Sequence, residues 1–366
     1  MKRIRDVNVC VAPIASSRPA GVSGIILVGG ATCTEYAAAR ALELEREGTV
    51  SLTAAFTQAV LPILGVAVVG YALGAKTDLE VGPVNTVGLY VLVPALAFHS
   101  IATTDLGSGA VLKLGVGVVA YALVMMAIAY AVGRLAGESG PLLGALMLAA
   151  AFPNSGFVGI PLSEFAFGDT GRTTAVLYLT VQNLVVYTLG VYVASRGSSR
   201  GVTDAVGEIF RLPLLYAVVA GVAIRALGLV PPPDSAFMGT VGLVGDASIP
   251  VMLLVLGIQL ADTDVSAVSR SIAPAALKLG AAPVVGVVIA LALGFADPTV
   301  ARVFVLESAT PAAVIPLALT IEYADEVTHD GITAPEYLST TIFTTTVASV
   351  VVLTVLVAAL QAGIPL

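Results

Sequence analysis

From Val50 to the C-terminus the chain is a succession of long apolar stretches separated by short polar punctuation. We read ten of them: Leu52–Ala75, Val84–Ala102, Val111–Leu135, Pro141–Phe167, Thr173–Ala194, Leu212–Leu227, Phe237–Leu260, Ile272–Phe295, Thr299–Tyr323 and Tyr337–Gln361. Each is taken as one membrane crossing, since about 20 apolar residues span a hydrocarbon layer roughly 30 Å thick. Loops after the first, third, fifth and seventh stretches hold Lys76, Arg134, Arg196, Arg200, Arg211 and Arg270, whereas the opposite loops hold Arg172, Arg225 and Arg302. Basic residues collect on the cytoplasmic side, so the first set is placed there. Both ends of the bundle then face outside a cell membrane crossed many times.

Composition agrees that lipid is the solvent. Of 366 residues, 57% are hydrophobic and 11% are charged, against about 25% charged in soluble domains. The net charge of −7, the absence of Trp and the lack of a basic stripe exclude nucleic acid as a partner. Cys10 and Cys33 both lie in the first tenth of the chain, and His99 and His329 are the only histidines. Neither a disulfide framework nor a metal site is expected, and no cofactor is implied. Acidic residues outnumber basic ones 24 to 17, which we read as the mark of a high-salt cytoplasm and a halophilic prokaryote.

The chain divides near residue 50. Residues 1–49 are expected to be a disordered extension or the product of a start site placed too early. Lys2, Arg3 and Arg5 precede the apolar run Gly21–Ala31 in the manner of a signal peptide, but Pro13 and Pro19 interrupt that pattern. Residues 50–195 form a first five-helix repeat, 196–211 a short cytoplasmic linker and 212–366 a second repeat. The repeat is legible in ordered matches. Leu61-Pro62 with Gly70 recurs as Leu212-Pro213 with Gly221, Val93-Pro94 as Ile249-Pro250, Leu112-Lys113-Leu114-Gly115 as Leu277-Lys278-Leu279-Gly280, and Pro153 as Pro311. Five crossings are an odd number, so the second copy enters from the other side and the two are inverted.

Chemistry concentrates where helices must break. The fourth stretch contains Phe152-Pro153-Asn154-Ser155-Gly156 and the ninth contains Thr310-Pro311-Ala312. A helix-interior proline lacks the N–H that the preceding turn requires, and unpaired backbone at membrane depth is tolerated only beside protein or a wet cavity. Two breaks at matching places in the two halves point to a binding site. Where each helix restarts, its free N–H groups and dipole favour an anion. Asn154 adds a neutral donor without the cost of burying a cation.

These residues, with Pro62, Pro94, the run Gln182-Asn183-Leu184-Val185-Val186-Tyr187, Leu256-Gly257-Ile258-Gln259-Leu260 and Ala309-Thr310-Pro311-Ala312, resemble the auxin efflux carrier family over about residues 50–361. The resemblance implies an all-α integral membrane protein of ten transmembrane helices in two inverted five-helix repeats, with helices four and nine broken and crossing. It also implies a scaffold and a transport domain, and an organic anion bound beside the crossover. The crossover prolines fall on Pro153 and Pro311 and the carboxylate-contacting asparagine on Asn154. The family's long cytoplasmic loop shrinks here to about Ser195–Arg211.

The expected substrate site is therefore Pro153, Asn154, Ser155, Gly156, Thr310, Pro311 and Ala312, joined by Asn183 and Tyr187, which share a helix face at i,i+4 spacing. Glu307, Asp246 and His99 are ionisable groups inside crossings, where such groups are costly; Glu307 and Asp246 are candidates for a coupling H+ or Na+, and His99 either relays protons or is a packing residue. Glu307 and Asp246 can equally cap freed backbone or pair with Lys113 or Lys278, and the threonine run Thr340 to Thr346 is read as packing. The function that follows is alternating-access transport of small organic anions by a secondary carrier of efflux type, with the bilayer and a second copy of the chain as partners. The rival is a Na+-coupled symporter resembling the bile-acid carriers. An intramembrane enzyme is not expected, since HExxH and a Gly-x-Gly-Asp pair are missing from the sequence and none of the apolar stretches contains Gly-x-Ser-x-Gly.

Overall fold

The structure, a computed structural model, describes residues 7–13, 23–29, 52–77, 79–104, 107–195, 211–261, 263, 268–323 and 332–364. Lys2, Arg3, Arg5, Cys33, His329 and most of the linker lie outside the described residues. The chain falls into two units, Met1–Ser51 and Leu52–Leu366. In the first, β1 (Val7–Pro13) pairs antiparallel with β2 (Ser23–Gly29), in a register that runs from Val7 opposite Gly29 to Pro13 opposite Ser23. β2 coincides with the apolar run of that segment.

The second unit is helical. Its rods in chain order are α1 (Leu52–Gly74), α2 (Val81–Thr103), α3 (Gly109–Leu135), α4 (Gly140–Ala151), α5 (Ser155–Ala194), α6 (Pro213–Ala226), α7 (Ala236–Ala261), α8 (Ile272–Leu293), α9 (Pro298–Ala309), α10 (Ile315–Tyr323) and α11 (Ala334–Gln361). Among the described residues seven, namely α1, α2, α3, α5, α7, α8 and α11, are long and apolar enough to cross a membrane. The sequence predicts ten crossings, and the difference lies where stretches are short or interrupted. α6 has 14 residues, and the ninth stretch is divided into α9 and α10. α5 runs for 40 residues, about 60 Å if straight and twice the hydrocarbon thickness. It bends at Gly168, whose φ of 65° is a left-handed conformation that glycine adopts without a Cβ clash.

Two packing groups make up the bundle. α1 lies along α7, and α2 along α6 and α7; α3, α4, α5, α8, α9, α10 and α11 pack mainly with one another. Lipid gives no hydrophobic drive between helices, so close approach of small residues matters most. A Cβ on Gly70 of α1 would overlap the Leu254 carbonyl of α7, and one on Gly257 of α7 would overlap the Ala67 carbonyl of α1. Gly221 of α6, the sequence counterpart of Gly70, approaches α2 less closely, with the Ile101 side chain 3.2 Å from where its Cβ would stand. Outward faces carry Val68, Val116, Leu243, Val284 and Val351, each at least half exposed. Such a belt of aliphatic side chains is satisfied by acyl chains and not by water.

Candidate functional site

α4 ends at Ala151 because Pro153 cannot donate to the carbonyl of Ala149 and forces Phe152 into an extended conformation. α9 ends at Ala309 for the same reason, with Thr310 extended ahead of Pro311. The two extended pieces lie side by side as an antiparallel bridge between Pro153 and Ala312. The Asn154 N–H donates to the Pro311 carbonyl at 2.8 Å, and the Ala313 N–H donates to the Phe152 carbonyl at 2.9 Å. Side chains meet the remaining backbone demand. Gln182 Nε2 donates to the Pro153 carbonyl at 2.8 Å, and the Ala312 N–H donates to Thr345 Oγ1 at 3.1 Å. Thr345, read from sequence as packing, thus supplies an acceptor that the break requires.

Beside this strap lies a cavity of about 240 Å³. Pro153, Asn154, Ser155, Gly156, Asn183 and Tyr187 border it, and so do Val314 and Ile315, where the second broken helix restarts. Thr310, Pro311 and Ala312 do not border it; they build the strap behind. Asn154 is buried, at 2% exposure. Its Oδ1 accepts from the Phe157 N–H at 3.2 Å, which fixes the amide and leaves Nδ2 without a protein partner. Asn183 Oδ1 likewise has none. Gln182, which the sequence offers with Asn183 and Tyr187 as a lining of the anion path, reaches the cavity as well, and so do two amides that sequence reasoning did not assign to a site, Asn85 and Gln259. The available signal was a polar residue inside an apolar stretch. Among the described residues lining it, none is Asp, Glu, Lys, Arg or His. An anion held there would rest on neutral amide donors and on the positive ends of two helices.

Glu307 sits behind the strap, wholly buried. Its Oε1 accepts from Ser163 Oγ at 2.9 Å, its Oε2 has no partner, and its carboxyl fills the space where a Cβ on Gly159 would stand. Neither lysine of the repeated motif forms an ion pair with it; Lys113 Nζ donates to the Gly294 carbonyl at 2.6 Å. Asp246 and His99 lie elsewhere. Asp246 Oδ1 accepts from Arg172 of α5 at 2.9 Å, and Arg172 also contacts Asp169 at 3.2 Å and Glu164 at 3.5 Å. His99 packs beside Gly242 of α7, 3.0 Å from where a Cβ would be. Neither residue borders the cavity.

Known proteins resemble this chain over most of its length. The family model described as "Membrane transport protein" matches the chain twice in succession, over residues 55–206 and 203–357. A protein of Methanothermobacter thermautotrophicus named "Uncharacterized transporter" is 29% identical over 305 residues, covering 81% of this chain and 95% of its own length. One of Rhizobium meliloti named "Putative malonate transporter" is 26% identical over 324 residues, covering 85% of this chain and 97% of its own.

Proposed function

We propose that this chain, which belongs to the membrane transport protein family, is a secondary carrier of small organic anions that binds a carboxylate beside the crossover and presents it in turn to the two sides of a cell membrane. It is a multi-pass membrane transporter; the substrate and the cycle are the proposal. The observation that carries it is Asn154. A buried amide whose acceptor is already used by the Phe157 N–H, and whose donor has no protein partner, borders a cavity lined by the first turns of both restarting helices. A carboxylate there would accept from Asn154 Nδ2 and from first-turn backbone, with no buried cation needed.

In this reading the chain crosses ten times. α4 with the start of α5 makes the fourth crossing, the rest of α5 beyond Gly168 the fifth, and α9 with α10 the ninth. The halves are inverted copies, a view supported by the double family match and by the paired contacts of Gly70 with α7 and of its counterpart Gly221 with α2. Loops after odd-numbered crossings face the cytoplasm. The group holding the strap moves against α1, α2, α6 and α7, and the cavity moves with it. Glu307 is the first choice for a coupling proton, being a buried acid behind the strap with one oxygen unpartnered.

The test is flux in proteoliposomes against a panel of small carboxylates, malonate included because of the name of one relative, with proton and Na+ gradients varied separately. Saturable flux of at least one acid is expected. A purified, folded protein that neither binds nor moves any of them overturns the proposal. A strict need for a Na+ gradient would instead favour the symporter of bile-acid type.

A further inference from the structure

The carrier reading leaves one buried charge without a task. Lys278 is wholly inside the bundle, at 0% exposure. Its ammonium donates to the Ser308 carbonyl at 3.0 Å and to the Tyr121 hydroxyl at 2.8 Å, and lies 5.3 Å from the centre of the Tyr121 ring. Tyr121 in turn donates to the same Ser308 carbonyl at 2.8 Å. That carbonyl belongs to the last turn of α9. In an unbroken helix it would accept from the N–H of Ala312, but that N–H is committed to Thr345. The break therefore strips an acceptor at the negative end of a helix dipole, deep in the membrane, and Lys278 fills the need.

Freed carbonyls at the C-terminal ends of broken helices are where secondary transporters hold their coupling cations. Here the amine of Lys278 already stands against such a carbonyl, covalently attached. Its sequence twin Lys113 uses the same chemistry, since it caps the Gly294 carbonyl just beyond the end of α8, but it is partly exposed and away from the strap. Only the second copy of the motif brings its ammonium to the crossover. Glu307, one residue before Ser308 and equally buried, interacts electrostatically with Lys278. The cluster thus brings together an acid and a base, where a lone buried charge would be far costlier.

We propose that Lys278 is a resident counter-cation, standing at the end of α9 where a coupling Na+ would otherwise bind, and that transport consequently proceeds without Na+. This rests on the carrier reading, yet it can fail alone. Carboxylate binding tests that reading, whereas the alkali-cation response tests this one.

The experiment compares NaCl with choline chloride at equal ionic strength, using purified protein for thermal unfolding and proteoliposomes for carboxylate flux. Wild type is expected to behave identically in both. Lys278→Ala empties the site, and its flux in choline should fall roughly tenfold or more as the Ser308 carbonyl and the Tyr121 hydroxyl lose a donor. Na+ should restore flux several-fold and raise the unfolding temperature, with saturation. Lys278→Met, which fills the space without a charge, should fall similarly and gain nothing from Na+. Na+ stimulation of wild type overturns the proposal, and so does a Lys278→Ala protein that behaves alike in both salts, whether active, inactive or unstable. Should the Ala variant fold only with Na+ present, the proposal stands.

Discussion

Asn154 carries two jobs in one side chain, and they can be separated. Its Oδ1 caps the Phe157 N–H, and its Nδ2 is buried without a protein partner at the edge of the cavity. Asn154→Ala removes both, so a loss of roughly tenfold in carboxylate affinity is expected alongside a stability cost of about 1 kcal/mol from the lost cap. Asn154→Asp keeps the capping acceptor but puts a carboxylate where the donor stood. Unfolding temperature should then stay near wild type while anion binding drops by about a hundredfold or more, as like charges meet in a poorly hydrated site. Isothermal titration with the transported acid reads both, and unchanged affinity in either variant removes Asn154 from the site. Glu307 is tested differently. It is faced by Ser163 across α5 and by Lys278 of α8, and Tyr178 lies nearby through Ser308. Glu307→Gln should flatten the dependence of flux on pH, which Asn154→Ala should leave intact; a preserved profile would return Glu307 to a structural part.

At the level of elements, glycine contacts decide which helices lie together. Gly257→Val should push α1 and α7 apart and cost about 1–3 kcal/mol, seen as a lower unfolding temperature in detergent. Gly65, also on α1, has nothing within 4 Å of its would-be Cβ, so Gly65→Ala should be neutral or stabilising by up to about 1 kcal/mol. Equal effects at the two positions would contradict the α1–α7 packing. The contrast also shows what a sequence can and cannot display. The breaks at Pro153 and Pro311 were legible because a missing N–H acts locally, whatever the rest of the chain does. The spacing of apolar stretches likewise reports membrane thickness directly. Burial of Lys278 was not legible, for Lys113 stands in an identical four-residue motif and has a different fate. Nor was the partner of Asp246, since Arg172 is 74 residues away. Asn85 and Gln259 reach the cavity only through the tertiary arrangement, and single amides in apolar stretches do not announce which neighbour they will face.

For the molecule as a whole, the contact between Arg172 and Asp246 joins the two packing groups, α5 on one side and α7 on the other. The Asp246 side chain is 62% exposed, so the pair is worth about 0–1 kcal/mol to the static fold. If the groups slide past each other, that pair must part in each cycle. Asp246→Asn is accordingly expected to change flux several-fold with little effect on unfolding temperature, and unaltered flux would deny the pair a part in the cycle. The strap between Phe152–Asn154 and Pro311–Ala313 has a further consequence. It binds residues of the first half to residues of the second by two backbone hydrogen bonds, and α1 with α7, α2 with α6, α3 with α8 and α5 with α9 cross the same divide. Continuity of the polypeptide between the halves is then dispensable for holding them together. Residues 1–195 and 212–366 made as two separate polypeptides in one cell should find each other, copurify and transport, leaving the intervening linker as the least needed covalent bond in the protein.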